Sequence, residues 1–180
     1  GAPLARLELR TALPILFDRL PRLRTLAQYP MYAANRRPER RGDVVELLRE
    51  RFVVDRVVDF SGAESEGRFL EGTGAMVLDH DERLAYACRS LRLDPDLFET
   101  VSADLGCRPV LFEASDADGV PVYHTNVLMS VGSEVALVGA EMIRDLEDRC
   151  RGLESLRASG REIVEISEAQ VHGFLGNCLE

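Results

Sequence analysis

Three polar residues, Glu71, His124 and Asn177, recur at one interval, each 53 positions from the next. Each sits in an apolar stretch that reads as a strand. A carboxylate or an imidazole is costly to bury there unless it is paired or kept wet. A histidine alone in such a strand reads as a satisfied core or edge residue. Registered with a carboxylate, it reads instead as half of an acid–base pair, because its proton moves near neutral pH. Three such positions in register point to a polar cavity at the centre of the fold. Gly72 and Gly74 permit close backbone approach beside Glu71.

The interval reflects a repeat. Beyond Phe69 the sequence runs strand, strand, helix, strand and then does so again. The first round is "FLEGTGAMVLD", "RLAYACR", a helix over residues 94–105 and "RPVLFEA". The second is "VYHTNVLMSVG", "EVALVGAE", a helix over residues 143–158 and "EIVEIS", and a third opens at "LGNCLE". Equivalent positions of repeated units are related by the rotation that packs them, so the three polar residues are expected to converge on one axis. The alternative reading of the Gly-Thr-Gly after Glu71 is a simple bulge; it does not resemble a phosphate loop, because no helix is expected to begin there.

Of 180 residues, 46% are hydrophobic, enough for one sizeable core or two small ones and too many for general disorder. No apolar run is long enough to cross a bilayer and the start lacks the pattern of a signal peptide, so a soluble, cytoplasmic protein without a membrane partner is expected. A net charge of −9, with acids and arginines interspersed, disfavours nucleic acid as a partner. Cys88, Cys107, Cys150 and Cys178 form no C-x-x-C pair, and His80, His124 and His172 show no ligand spacing. Reduced thiols, no metal and no cofactor are therefore expected.

The chain divides into unlike parts. Leu4, Leu7, Leu13, Leu16, Phe17 and Leu20 recur at helical spacing, predicting an amphipathic helix over residues 3–20 that ends at Pro21. This opening, "GAPLARLELRTALPILFDRLPRLR", resembles the segment that follows the haem-ligating cysteine in bacterial cytochromes P450. The remainder of a haem pocket has no counterpart in the sequence, so residues 1–28 are expected to be a helix and junction without haem chemistry. Residues 35–41, "NRRPERR", read as a charged surface loop. Asp43 and Glu46 form a capping box opening a helix to about residue 52, followed by a strand over residues 53–60.

From residue 29 to residue 180, the segments "YPMYAANRRPERR", "GRFLEGTGAMVLD", "YACRS", "PVLFEASDADGVPVYHTNVLMSVG" and "FLGNCLE" resemble the arginine-deiminase-related family that includes citrulline-utilisation hydrolases, long labelled amidinotransferase-like. The resemblance implies an α/β fold, the pentein propeller of repeated ββαβ units, here partial and preceded by the amphipathic helix. It implies a hydrolase in which a cysteine attacks a guanidino or ureido carbon, a histidine moves protons and carboxylates hold the substrate nitrogens. By motif, Glu71 of "LEGTG" and His124 of "YHTN" match the family's catalytic carboxylate and histidine, while Asn126, Asn177 and Gly72 are expected to bind substrate. Asn126 stands where many arginine deiminases have an aspartate. An amide does not pair with a cation as a carboxylate does, so a neutral ureido group such as citrulline's suits it better.

A guanidino or ureido carbon is stabilised by resonance, so its hydrolysis needs a strong nucleophile and a proton donor to the departing amine. The family's nucleophile lies in a glycine-rich "GGG-x-x-C" context that this sequence lacks. Cys178 directly follows Asn177, and strand alternation points it away from the axis, predicting a buried apolar role; the other three cysteines are expected inside strands and helices. The leading expectation is thus a partial hydrolase, inactive alone, whose partner is a small guanidino or ureido amino acid and whose open sheet edges favour self-association. The alternatives are a non-catalytic binding or structural module and a haem-protein fragment.

Overall fold

The computed structural model describes residues 22–32, 34 and 42–178. The helix expected over residues 3–20, with its likeness to cytochromes P450, and the charged loop over residues 35–41 lie outside the described residues. The chain forms two units, Gly1–Gln28 with Ala33–Ser61, and Tyr29–Tyr32 with Gly62–Glu180.

In the first unit, strand β1 (Arg22–Gln28) pairs in parallel with β2 (Val53–Asp59), and Phe60 N–H donates to Gln28 O at 2.8 Å just past the last pair. Helix α1 (Gly42–Arg51) precedes β2, with Asp43 in its first turn and Arg49 and Arg51 in its last, charges that complement the helix dipole. The basic stretch expected as a junction is therefore a strand, and its sheet joins residues on both sides of the boundary expected at residue 28.

The second unit is a mixed α/β fold holding two three-stranded sheets. The first has the order β3–β4–β5, from Met76–Asp79, Leu84–Cys88 and Arg108–Phe112. The second has the order β6–β7–β8, from Met129–Val131, Val135–Val138 and Glu162–Glu165. In each, the first pair is antiparallel and the second parallel. The parallel pair requires a helical crossover, supplied by α3 (Pro95–Asp104) in the first and α5 (Leu146–Ala158) in the second. All five residues of β4 are buried, as a strand covered on both faces must be.

Capping sets where the crossovers start. Asp94 Oδ1 accepts from Leu97 N at 2.8 Å with Pro95 in the first turn, and Asp145 Oδ1 accepts from Asp148 N at 2.8 Å. The second helix begins at Leu146 and not at residue 143 as expected, because Ala140–Met142 forms a separate 3-10 turn and Asp145 takes the cap.

One core serves both sheets. Tyr86, Phe112 and Val110 from the first pack in a cluster with Met129, Ala136 and Val138 from the second, with Leu128 just before it and with Leu156 of α5. The hydroxyl of fully buried Tyr86 lies 3.0 Å from Ser155 Oγ of α5, which satisfies the one polar atom the ring brings inside.

The expectation that Glu71 and His124 lie within strands is corrected. Each instead precedes a single helical turn that feeds the first strand of its sheet: α2 (Gly72–Ala75) after Glu71 and α4 (Thr125–Leu128) after His124. A helical turn does start at the Gly-Thr-Gly segment, where Gly72 has φ +51°. A short helix, α6 (Glu168–His172), follows β8 and is opened by a capping box between Ser167 and Gln170. Among the described residues no helix is long and apolar enough to cross a membrane.

Candidate functional site

Both helical turns are held by one hydroxyl. Thr125 Oγ1 donates to Ala75 O at 2.6 Å and accepts from Cys88 N at 2.8 Å, so the end of α2, the end of β4 and the start of α4 meet at one buried atom. Glu71 and His124, each directly before its turn, are thereby brought face to face. His124 Nε2 lies 2.7 Å from Glu71 Oε2, with the two side chains 19% and 5% exposed. Gly74 makes the approach possible: a Cβ at that position would lie 2.9 Å from His124 Cε1 and Nδ1.

The carboxylate is held from three sides. Oε1 accepts from Tyr32 N at 2.9 Å, and Oε2 accepts from Arg92 Nη1 at 3.3 Å as well as meeting the imidazole. Tyr32 is presented by the segment Tyr29–Tyr32, which Leu70 N anchors through Pro30 O at 3.1 Å. Arg92 is presented by the loop after β4, which is strapped to the Glu71 segment by the Leu70–Leu93 bridge and by Asp94 N donating to Phe69 O at 2.7 Å. Its guanidinium lies 4.8 Å over the Tyr123 ring, which is itself 5.0 Å from the imidazole.

Burial lowers the pKa of His124 below its ordinary value. The hydrogen bond and charge of Glu71 oppose that shift, and the nearby Arg92 charge adds to it. The ring is therefore neutral at pH 7. A carboxylate only accepts, so Nε2 carries the proton and Nδ1 keeps its lone pair. The arrangement can orient one tautomer of an imidazole and stabilise it if it gains a proton, which is the behaviour required of a group that carries protons between reactants.

The other expected site residues fare differently. Asn126 lies on α4, two positions beyond His124, and is partly buried. Gly72 is buried, with φ +51° and its Cβ direction 3.1 Å from the Tyr29 ring. Asn177 is exposed, in a segment outside the strands, and none of the contacts at the Glu71–His124 pair among the described residues involves it. Cys178 is exposed with Sγ donating to Leu175 O at 3.0 Å, which corrects the buried role expected from strand alternation. Cys150 is also exposed, on α5, while Cys88 is buried and its thiol is pushed up to about 11 by desolvation. Among the described residues no three His, Cys, Asp or Glu side chains gather as a metal site would require.

Sequence reasoning missed Arg92, Tyr123, Thr125 and the backbone of Tyr32. Only the first carried a usable signal, as the second arginine of "CRSLR" after a buried strand. Arg92, Tyr123 and Tyr32 also line a cavity of about 860 Å³ together with Arg89, Arg144 and Asp145, and neither Glu71 nor His124 is in its wall.

Several comparisons bear on this arrangement. The sequence profile described as N,N dimethylarginine dimethylhydrolase, eukaryotic, matches residues 22–180. No curated protein matches the chain significantly. Among solved structures, the chain superposes on apo ArgZ, an arginine dihydrolase from the ornithine-ammonia cycle in cyanobacteria, with a TM-score of 0.64 and 17% identity over 88% of this chain and 23% of that one. The N-terminal domain of ArgZ, as a cysteine-to-serine mutant bound to substrate, gives a TM-score of 0.64 and 17% identity over 92% and 58%. The same domain bound to product gives 0.64 and 18% over 92% and 57%. The chain thus spans little more than half of that domain, and at such identities the likeness is one of fold. With nearly all of its length matched by one profile, the chain belongs to the eukaryotic N,N dimethylarginine dimethylhydrolase family.

Proposed function

We propose that this chain is part of a hydrolase acting on the guanidino or ureido carbon of an arginine-like amino acid. The observation that carries the reading is the 2.7 Å contact between His124 Nε2 and Glu71 Oε2 in a largely buried setting. In this reading, the two three-stranded sheets are blades of a pentein propeller, and the pair stands near its axis. His124 takes a proton through Nδ1 and delivers it to the departing amine, then activates water for the second step. Glu71 holds the imidazole upright and offsets the charge it acquires.

The reading assigns the nucleophile to a cysteine other than the four in this sequence. Cys88 is enclosed with its thiol pushed up to about 11, desolvation also raises the thiol of Cys107, and none of the four touches Glu71 or His124 among the described contacts. A covalent route is supported by analogy with ArgZ, whose N-terminal domain has been captured covalently bound to a reaction intermediate. Asn126 is proposed as a substrate contact beside His124.

Calorimetry of the chain with L-arginine and L-citrulline tests the site, and ammonia release tests turnover. Binding of at least one ligand, weakened at least tenfold by Glu71→Gln and by His124→Ala, is expected. Absence of binding to the wild-type chain at millimolar ligand overturns the reading. A binding module without turnover is favoured by the position of the cysteines, and ammonia release that persists in Cys178→Ser excludes it.

A further inference from the structure

Glu71 Oε2 faces two nitrogen donors at once. His124 Nε2 lies 2.7 Å away and Arg92 Nη1 donates at 3.3 Å, while Tyr32 N–H takes Oε1 at 2.9 Å. Which of the two donors supplies the matching positive charge decides whether the imidazole stays neutral. The Arg92 side chain is 35% exposed and that of Glu71 5%, so the guanidinium is the member with a way out. A long arginine side chain has many rotamers, and Glu113 and Asp145 offer it other carboxylates in the wall of the cavity it lines.

Tyr123 removes that freedom in two ways. Its ring lies under the guanidinium, 4.8 Å from Cζ to the centroid, where the ring quadrupole holds a cation. Its carbonyl accepts from Ser90 Oγ at 2.9 Å, and that hydroxyl accepts from Arg92 N at 3.1 Å. Head and backbone of Arg92 are thus tied to one residue, the neighbour of His124 in the chain. Resting on the reading given under Proposed function, we propose that Tyr123 is a positioning residue that seats Arg92 against Glu71, so that the guanidinium supplies the charge matching the carboxylate and His124 enters the reaction neutral with Nδ1 open. Tyr123 moves no proton itself and acts through Arg92. Glu71 and Arg92 are the charged groups that act on the imidazole: burial first and Arg92 second lower its proton affinity, and Glu71 opposes both. An unseated Arg92 turns away, and the imidazole then takes up its proton at a higher pH.

The test is an NMR pH titration of His124 in the wild-type chain, Tyr123→Leu, Tyr123→Phe, Arg92→Met and the Tyr123→Leu/Arg92→Met double variant, with exposed His80 and His172 as internal references. Tyr123→Leu and Arg92→Met are each expected to raise the midpoint by about half a pH unit or more, and Tyr123→Phe, which keeps the ring, to leave it within about 0.2. In the double variant the midpoint is expected to match that of Arg92→Met, because no guanidinium remains to be seated. Ser90→Ala deletes the hydroxyl that joins Arg92 N to Tyr123 O and is a second, milder variant, expected to raise the midpoint in the same direction. No rise in a folded Tyr123→Leu or in Ser90→Ala, or a rise from Tyr123→Leu that persists in full on the Arg92→Met background, overturns the inference, since the ring then acts on the imidazole directly or only fills space. The titration uses no ligand, so the seat can fail while calorimetry upholds the site. Absence of ligand binding to the wild-type chain is the separate result that removes the hydrolase reading and, with it, the reaction the seat would serve.

Discussion

Arg161 and Asp79 tie the two sheets together from opposite ends. The guanidinium at the start of β8 meets both carboxylate oxygens at the end of β3, at 2.7 and 3.0 Å, with side chains 5% and 0% exposed. Arg161 also donates to Gly132 O and Asp81, so four of its five N–H groups have partners. Removing one member leaves a buried charge without its two-point partner, Arg161 keeping only the exposed Asp81. Asp79→Ala is expected to cost about 3–5 kcal/mol, whereas a double change to Asp79→Leu and Arg161→Met recovers much of that loss. Urea denaturation of the two variants checks both halves; equal stabilities would contradict the pairing.

Gly74 is required by the imidazole that occupies its side-chain space. In Gly74→Ala the new methyl falls 2.9 Å from two ring atoms, so His124 must swing off Glu71. The expected result is a stability loss of about 1–3 kcal/mol from overpacking, together with at least a tenfold loss of ligand binding. Gly152, in α5, is the control: nothing lies within 4 Å of its Cβ direction, and Gly152→Ala is expected to stabilise the helix by about 0.5–1 kcal/mol with binding unchanged. Thermal unfolding and calorimetry on the two variants separate a site effect from a general one.

The proton on His124 titrates below the ordinary value of 6.5 because burial outweighs the attraction of Glu71. As pH falls, the unfolded chain takes up this proton before the folded one does. The contribution of His124 to stability is therefore intact above about pH 6.5 and is lost as the pH drops through the folded-state midpoint. Glu71→Gln removes the hydrogen-bonding charge that favours the imidazolium and is expected to lower that midpoint further. Titration of the imidazole by NMR checks the sign; a midpoint above 6.5 in the wild-type chain, or a rise in the variant, contradicts it.

The interval of 53 was legible because a repeat keeps its register through every element between two equivalent points. It led to the pair of side chains that do meet, Glu71 and His124. Helix α3 was legible for a local reason: Asp94, Pro95 and an apolar face all agree. The one-turn helices after Glu71 and His124 were hidden, since four residues are too few to show a helical period and apolar neighbours imitate a strand. Asn177 takes no part in the described contacts of the pair: the chain before it turns at Phe174, which has φ 63°, and Asn177 N–H donates to Phe174 O. Arg92 was hidden because its position depends on a loop strapped across the Glu71 segment, a contact between residues far apart in sequence order.

Cys88 is a structural thiol, and its chemistry should follow its surroundings. Its N–H and Sγ both face Thr125 Oγ1, its Sγ also faces Val122 O, and desolvation pushes the thiol up to about 11. Very little thiolate then exists at pH 8, and reagents must first open the core. Exposed Cys150 and Cys178 are expected to be alkylated at least a hundredfold faster than Cys88, which should react at the rate of unfolding. Thr125→Val keeps the shape and deletes the hydroxyl, leaving Cys88 N and Ala75 O unpaired. Each buried group left without a partner costs about 1–3 kcal/mol, so the variant should unfold earlier and expose Cys88 sooner. Mass spectrometry of timed iodoacetamide labelling reads both effects, and labelling of Cys88 as fast as Cys178 in the native chain would show that the core around Thr125 is not closed.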